Sequence, residues 1–274
     1  MSKQSVYPER WLELPAGRRV RVFSRHEFLT LRFGYNPGEH VLFVAPSQDG
    51  KTTLAFQMLM HAANKSLPAY VLVMKPRDPT PATWIHHLGY REVPTWPAPP
   101  RQYGEPKNPV GIAVWPHHTF NARRDNLNMQ HQFSRLLAYC YGRGNCIVFA
   151  DEVYGLIAEL RADRELIKEA GSIEDQINAI LTRGGGMGAG LWSATQKASG
   201  TAGHGLTGFL FSNAVHFLFS RDPTKGQRDK YADVSGIDID LMRAIIDRLG
   251  HFQFGYARKA DSSGGPYICV IDSR

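Results

Sequence analysis

From residue 40 onward, apolar runs of four to six residues alternate with longer stretches that are apolar on one side only. Runs buried on both faces are strands of a parallel sheet, and the amphipathic stretches are the helices that cover it. The pattern predicts strands at 40–45, 69–74, 110–115, 146–150, 191–194 and 215–219. It predicts helices at 51–64, 126–141, 153–160, 173–182, 204–212 and 238–249. Two closing strands, 252–257 and 267–271, are joined by the turn Ser262-Ser263-Gly264-Gly265. The expected fold class is α/β, with a mainly parallel central sheet flanked by helices.

Two stretches fall outside this rhythm. Between 75 and 109 the prolines crowd, from Pro76, Pro79 and Pro81 through Pro94, Pro97, Pro99 and Pro100 to Pro106 and Pro109. Such punctuation excludes long helices and central strands, so this stretch reads as an insertion over the sheet edge. Residues 1–39 read as an extension packing on a domain that spans 40–274, with an edge strand near Val20–Phe23 and no visible chemistry.

Composition narrows the class. With 274 residues, 43% of them hydrophobic, the chain can bury one large core and needs no second full domain. A formal charge of +7 favours a polyanionic partner. Cys140, Cys146 and Cys269 lack zinc-ligand spacing and form an odd set, which implies unmodified thiols in a reducing compartment. Met1 to Arg25 is charged and has no apolar run, and no segment has the roughly 20 apolar residues of a membrane span. A soluble cytoplasmic protein with no membrane insertion of its own is the expectation.

Chemistry first enters at Ala45-Pro46-Ser47-Gln48-Asp49-Gly50-Lys51-Thr52, between a buried strand and an amphipathic helix. This is a phosphate-binding loop with Ala in place of the usual first Gly. The cradling amides belong to Ser47, Gln48, Asp49, Gly50, Lys51, Thr52 and Thr53, so neither Ala45 nor Pro46 removes an essential donor. Gly50 lets the backbone approach the anion, Lys51 reaches the β- and γ-phosphates of ATP, and the Thr52 hydroxyl serves Mg²⁺. A second element, Cys146-Ile147-Val148-Phe149-Ala150-Asp151-Glu152, is an apolar strand ending in two carboxylates. A parallel strand delivers such residues to the ligand crevice, which suits Asp151 to the Mg²⁺ shell and Glu152 to activating the attacking water. A third strand, Leu191-Trp192-Ser193-Ala194-Thr195-Gln196, ends in a polar residue placed to sense the γ-phosphate.

In this order the three elements resemble the FtsK–HerA superfamily of DNA-pumping ATPases, whose third motif is a strand ending in Ala-Thr-Gln. The likeness covers about residues 40 to 235 and includes Gly205-Leu206-Thr207, Ser212-Asn213-Ala214 and Phe217-Leu218-Phe219. It implies a RecA-like additional-strand P-loop NTPase fold. It also implies that Arg183, in Thr182-Arg183-Gly184-Gly185-Gly186, acts as a finger on a neighbouring subunit's γ-phosphate, within a homo-oligomeric ring of six or five copies. The other reading of Arg183 is a cation favoured by a helix C-terminus.

Lys197, the group Arg221, Lys225, Arg228 and Lys230, and the pair Arg123-Arg124 are candidate phosphate contacts, each equally readable as solvated surface charge. His86-His87 and His117-His118 read as structural or exposed histidines, because adjacent side chains do not converge on a metal. Lys75-Pro76-Arg77-Asp78 either touches nucleotide or DNA or simply ends a strand.

The function expected is an ATP-driven translocase of double-stranded DNA, specifically a viral genome-packaging ATPase docked on a capsid portal or vertex protein in the host cytoplasm. Packaging is reached by subtraction, since related pumps carry membrane segments or DNA-recognition domains and terminases carry a nuclease domain. The alternatives are a chromosomal or plasmid DNA pump, an assembly or secretion ATPase acting on protein, and a non-hydrolysing nucleotide switch.

Overall fold

The computed structural model describes residues 8–152, 172–196, 210–221, 225–259 and 266–272. Strand β3 (His40–Val44), β7 (Cys146–Ala150) and β8 (Ala189–Thr195) are buried at every residue. Only a strand covered on both faces tolerates such runs, and these three lie at the centre of an eleven-stranded sheet. Beyond β7 follow β4 (Ala69–Leu72), β6 (Gly111–Val114) and β5 (Arg91–Val93), and beyond β3 lies β9 (Ala214–Phe219). All of these neighbours pair in parallel.

The remaining strands close the other side. The antiparallel hairpin of β10 (Phe254–Arg258) and β11 (Tyr267–Ile271) joins β9 through β10. Strand β2 (Arg19–Phe23) runs parallel to β11, and β1 (Arg10–Glu13) pairs with β2 as the outermost strand. The segment predicted as an edge strand at Val20–Phe23 is therefore one place in from the edge. A buried polar network ties the hairpin to the parallel half. Glu39 meets His216 Nε2 at 2.9 Å and accepts from Arg258 Nη2 at 3.0 Å, while His216 Nδ1 meets the Tyr256 hydroxyl at 2.9 Å.

Helices cover both faces, as the two-faced burial requires. Helix α2 (Lys51–Ala62) packs Leu54, Phe56, Met58 and Leu59 against Val41, Phe43, Phe149 and Trp192. Helix α4 (Ala122–Arg143) lays Phe133, Leu136, Leu137 and Cys140 against the other face, on Tyr70, Leu72, Val148 and Leu191. Helix α5 (Ile173–Ala179) joins α4 there and runs into a π-turn at Ile180–Gly184. Helices α6 (Lys225–Ser235) and α7 (Ile239–Ile246) cover β9 and the hairpin. Helix α1 (Arg25–Leu31) begins at a reciprocal Ser24–Glu27 capping box. The predicted helix at 153–160, and 204–212 up to residue 209, lie outside the described residues.

The proline-rich stretch corrects the expectation of an insertion lying over the sheet edge, because it supplies the edge itself. Helix α3 (Pro79–His87) starts with Asp78 as N-cap, accepting from the Thr80 N–H, and Pro79 and Pro81 occupy its first turn, where intrahelical donors are not needed. Strand β5 is three residues long and stops before Pro94, at an outer position where a missing N–H costs no ladder bond. Because β3, β4, β7 and β8 run the same way, their carboxyl ends converge at one rim of the sheet.

Candidate active site

The loop from β3 to α2 is held at its start by the Ala45 N–H, which donates to Thr195 O at the end of β8 at 3.1 Å. It turns through two left-handed residues, Gln48 at φ 65° and Gly50 at φ 85°. Such turns aim successive N–H groups into one concavity. Gly50 caps α2, and a Cβ there would lie 3.1 Å from the Phe252 ring, so glycine answers both the dihedral and the space. Lys51 follows, buried at 6% exposure.

The Thr52 hydroxyl donates to Asp151 Oδ2 at 2.6 Å, joining the loop helix to the end of β7. The other Asp151 oxygen, Oδ1, is buried and has no hydrogen-bond partner among the described residues. Burial pushes the Asp151 carboxyl above its ordinary value, against the pull of Thr52 and Lys51. A buried carboxylate with one orphaned oxygen beside a threonine hydroxyl fits a hard divalent cation, which takes oxygen ligands.

Glu152 stands at φ 54°, the left-handed conformation that residues with a Cβ seldom adopt. Its Oε1 receives two donors, Lys75 Nζ at 2.8 Å and Gln196 Nε2 at 3.0 Å. Burial works to raise the Glu152 pKa, but those two bonds prevail and hold it below the ordinary value. Lys75 shifts the opposite way: burial works to lower it, and pairing with Glu152 raises it. Its carbonyl accepts from Trp115 Nε1 at 3.1 Å, which fixes the chain where it leaves β4.

These groups surround a cleft of about 460 Å³ lined by Ser47, Gln48, Gly50, Lys51, Thr52, Thr53, Lys75, Asp78, Thr80, Asp151, Glu152 and Phe252. That size suits a nucleotide-sized ligand. Asp49, predicted among the loop residues, turns its side chain elsewhere. It is buried, with Oδ1 2.8 Å from His251 Nδ1 and 3.7 Å from Arg221 Nε, and so anchors the loop to the chain between β9 and β10.

Arg183 does not join the cleft of its own chain. It is exposed beyond the amino end of β8, 5.4 Å over the Tyr141 ring, whereas the cleft lies at the carboxyl ends. Of the candidate phosphate contacts, Arg228 pairs with Asp247, Lys230 stands 5.0 Å over Phe211, and Arg123 and Arg124 are exposed in the first turn of α4. Lys197 and the side chain of Lys225 lie outside the described residues. His86 and His87 end α3 exposed, and His118 Nδ1 lies 3.7 Å from Asp125 Oδ2.

Structures of the genome packaging NTPase B204 from Sulfolobus turreted icosahedral virus 2 align with this architecture. The AMP complex matches at TM-score 0.53 and 12% identity over 87% of this chain and 100% of B204. The ATP-γS complex matches at 0.51 and 13% identity over the same shares. The fold is that of a P-loop NTPase. The pCW3 conjugation coupling protein TcpA, in a monomer form with ATPγS, also aligns, at TM-score 0.45 and 13% identity over 87% of this chain and 62% of its own. The sequence matches no family model and no curated protein. Within this P-loop NTPase fold, no helix among the described residues is long and apolar enough to cross a membrane.

Sequence reasoning left Lys75 open and passed over Phe252 and Arg25. Lys75 follows directly on an apolar strand, the position that marked Asp151 and Gln196, so strand-end placement was the available signal. Phe252 and Arg25 carried none.

Proposed function

We propose that the chain is an Mg²⁺-dependent ATPase that drives double-stranded DNA, working as a genome-packaging motor. The observation that carries the hydrolytic part is Glu152, held at Oε1 by Lys75 and Gln196 beside the joined pair of Thr52 and Asp151. The triphosphate lies along the loop amides, with Lys51 compensating charge between the β- and γ-phosphates. Mg²⁺, held by Thr52 and Asp151, supplies charge neutralisation to those phosphates when bound. Glu152 keeps Oε2 free of the two donors that hold Oε1, so Oε2 is the oxygen that takes the proton of the attacking water. Gln196 links that carboxylate to the end of β8 and so to the segment after it, which makes the state of the γ-phosphate readable outside the cleft.

Support for DNA as cargo comes from the +7 charge and from the likeness to a packaging NTPase, which covers 87% of this chain and 100% of B204. Arg183, placed away from its own cleft, suits donation to a neighbour in a hexameric or pentameric ring, which a capsid portal or vertex protein would dock. The deciding experiment is the steady-state ATPase rate with and without duplex DNA at low salt. The rate should rise with DNA, and the rise should fade as salt increases. A rate indifferent to DNA sinks the translocase reading, and no turnover at all points to a nucleotide switch.

A further inference from the structure

Among the described residues lining the cleft, Phe252 is the single apolar side chain. It is 40% exposed and sits at φ 62°. The cause is a tight turn, closed by the Gln253 N–H to Gly250 O at 3.2 Å, with Phe252 at the third position. A turn with positive φ there ordinarily takes Gly or Asn, because any Cβ is strained. An exposed aromatic ring on a strained backbone at the mouth of a phosphate cleft needs a reason beyond packing.

The turn is also held in place from two sides. Arg25 donates through Nη2 to Phe252 O at 3.3 Å and through Nη1 to Gln57 Oε1 on α2 at 3.2 Å. The His251 ring lies 3.8 Å from the Phe252 ring, centroid to centroid, and is itself held by Asp49. The ring thus stands beside Gly50 at a set distance from the loop.

Strand order supplies the direction. Glu152 and Gln196 come from β7 and β8 on one flank of β3, and Phe252 comes from the β9–β10 connection on the other. A triphosphate whose terminal phosphoryl group faces Glu152 must leave the loop on the Phe252 flank.

We propose that Phe252 is the stacking platform for the nucleobase of the bound nucleoside triphosphate, with Arg25 as the residue that positions it. The inference rests on the ATP-site reading above. A base ring laid on Phe252 is held by its π-face, so the contact adds affinity for a nucleotide over bare triphosphate without reading the base edge.

The test is calorimetric titration of the wild-type protein, F252G and F252W with MgATP and with inorganic triphosphate, alongside melting curves. Glycine relaxes the positive φ, so F252G should stay folded with little change in melting temperature. Expected is a loss of about 10-fold or more in ATP affinity for F252G, with triphosphate affinity unchanged and F252W close to wild type. Equal ATP affinity in F252G and wild type overturns the stacking role and leaves the ATP site intact. Equal losses for ATP and triphosphate also overturn it, by making Phe252 a loop support. A wild-type protein that binds neither ligand refutes the ATP site itself.

Discussion

At the scale of single residues, the site is organised by which oxygen each donor takes. Glu152 Oε1 carries Lys75 and Gln196 together, and Asp151 Oδ2 carries Thr52, so none of these three bonds uses Glu152 Oε2 or Asp151 Oδ1. Glu152→Gln keeps the acceptor for Lys75 and Gln196 but cannot take a proton. Nucleotide affinity should be preserved while kcat falls by about 10²–10⁴, and wild-type turnover would remove Glu152 as the base. Lys75 is a positioning residue, and its test is a pH profile. Its pairing lowers the Glu152 pKa, so Lys75→Met should raise it and move the acid limb of kcat/KM to higher pH. An unmoved limb would mean that the ion pair only ends a strand. The carboxylates and Gln196 were legible because each closes an apolar run. Their partnership with Lys75 was not, since Lys75 and Glu152 are 77 residues apart in sequence.

At the scale of elements, the central strands were legible and the margins were not. Runs such as Cys146–Ala150 are buried on both faces, so composition alone marks them. β5, Arg-Glu-Val, pairs on one side only and has no apolar signature, so its place at the edge emerged from the packing. The β3–β8 junction holds a group that makes stability pH-dependent. His40, 5% exposed, accepts the Leu191 N–H at Nδ1 over 3.0 Å. Burial pushes its pKa from 6.5 down to about 4. Below pH 6.5 the unfolded chain takes a proton that the folded chain refuses. The contribution is thus complete above 6.5 and lost as pH falls towards about 4. It amounts to roughly 3 kcal/mol over that window. His40→Asn keeps an acceptor without titrating, so denaturation midpoints of the variant should fall less steeply than those of the wild type between pH 6.5 and 4.

At the scale of the whole molecule, the sheet separates two working ends. The cleft is lined from beyond the carboxyl ends of β3, β4 and β7, and Arg183 lies beyond the amino end of β8. In the proposed ring, an arginine placed there would serve a neighbour's cleft and not its own, and activity would be a property of the interface. Arg183→Ala and Glu152→Gln should each be inactive alone. Mixed, they should recover part of the rate, because some interfaces then combine an intact Glu152 with an intact Arg183. A mixture as silent as its parts would assign Arg183 to the helix end.

The amino-acid sequence by itself determined the α/β class, the phosphate loop and the order of the motif-bearing strands. Each of these is a local property, written in runs of apolar residues and the polar residue that ends them. Only the tertiary structure decided how those ends face one another. Lys75 closes on Glu152, Asp49 turns away to His251 across 202 residues, and Arg25 reaches Phe252 across 227. Such contacts follow from strand order and crossover, which bring together residues whose spacing along the chain carries no period to be read.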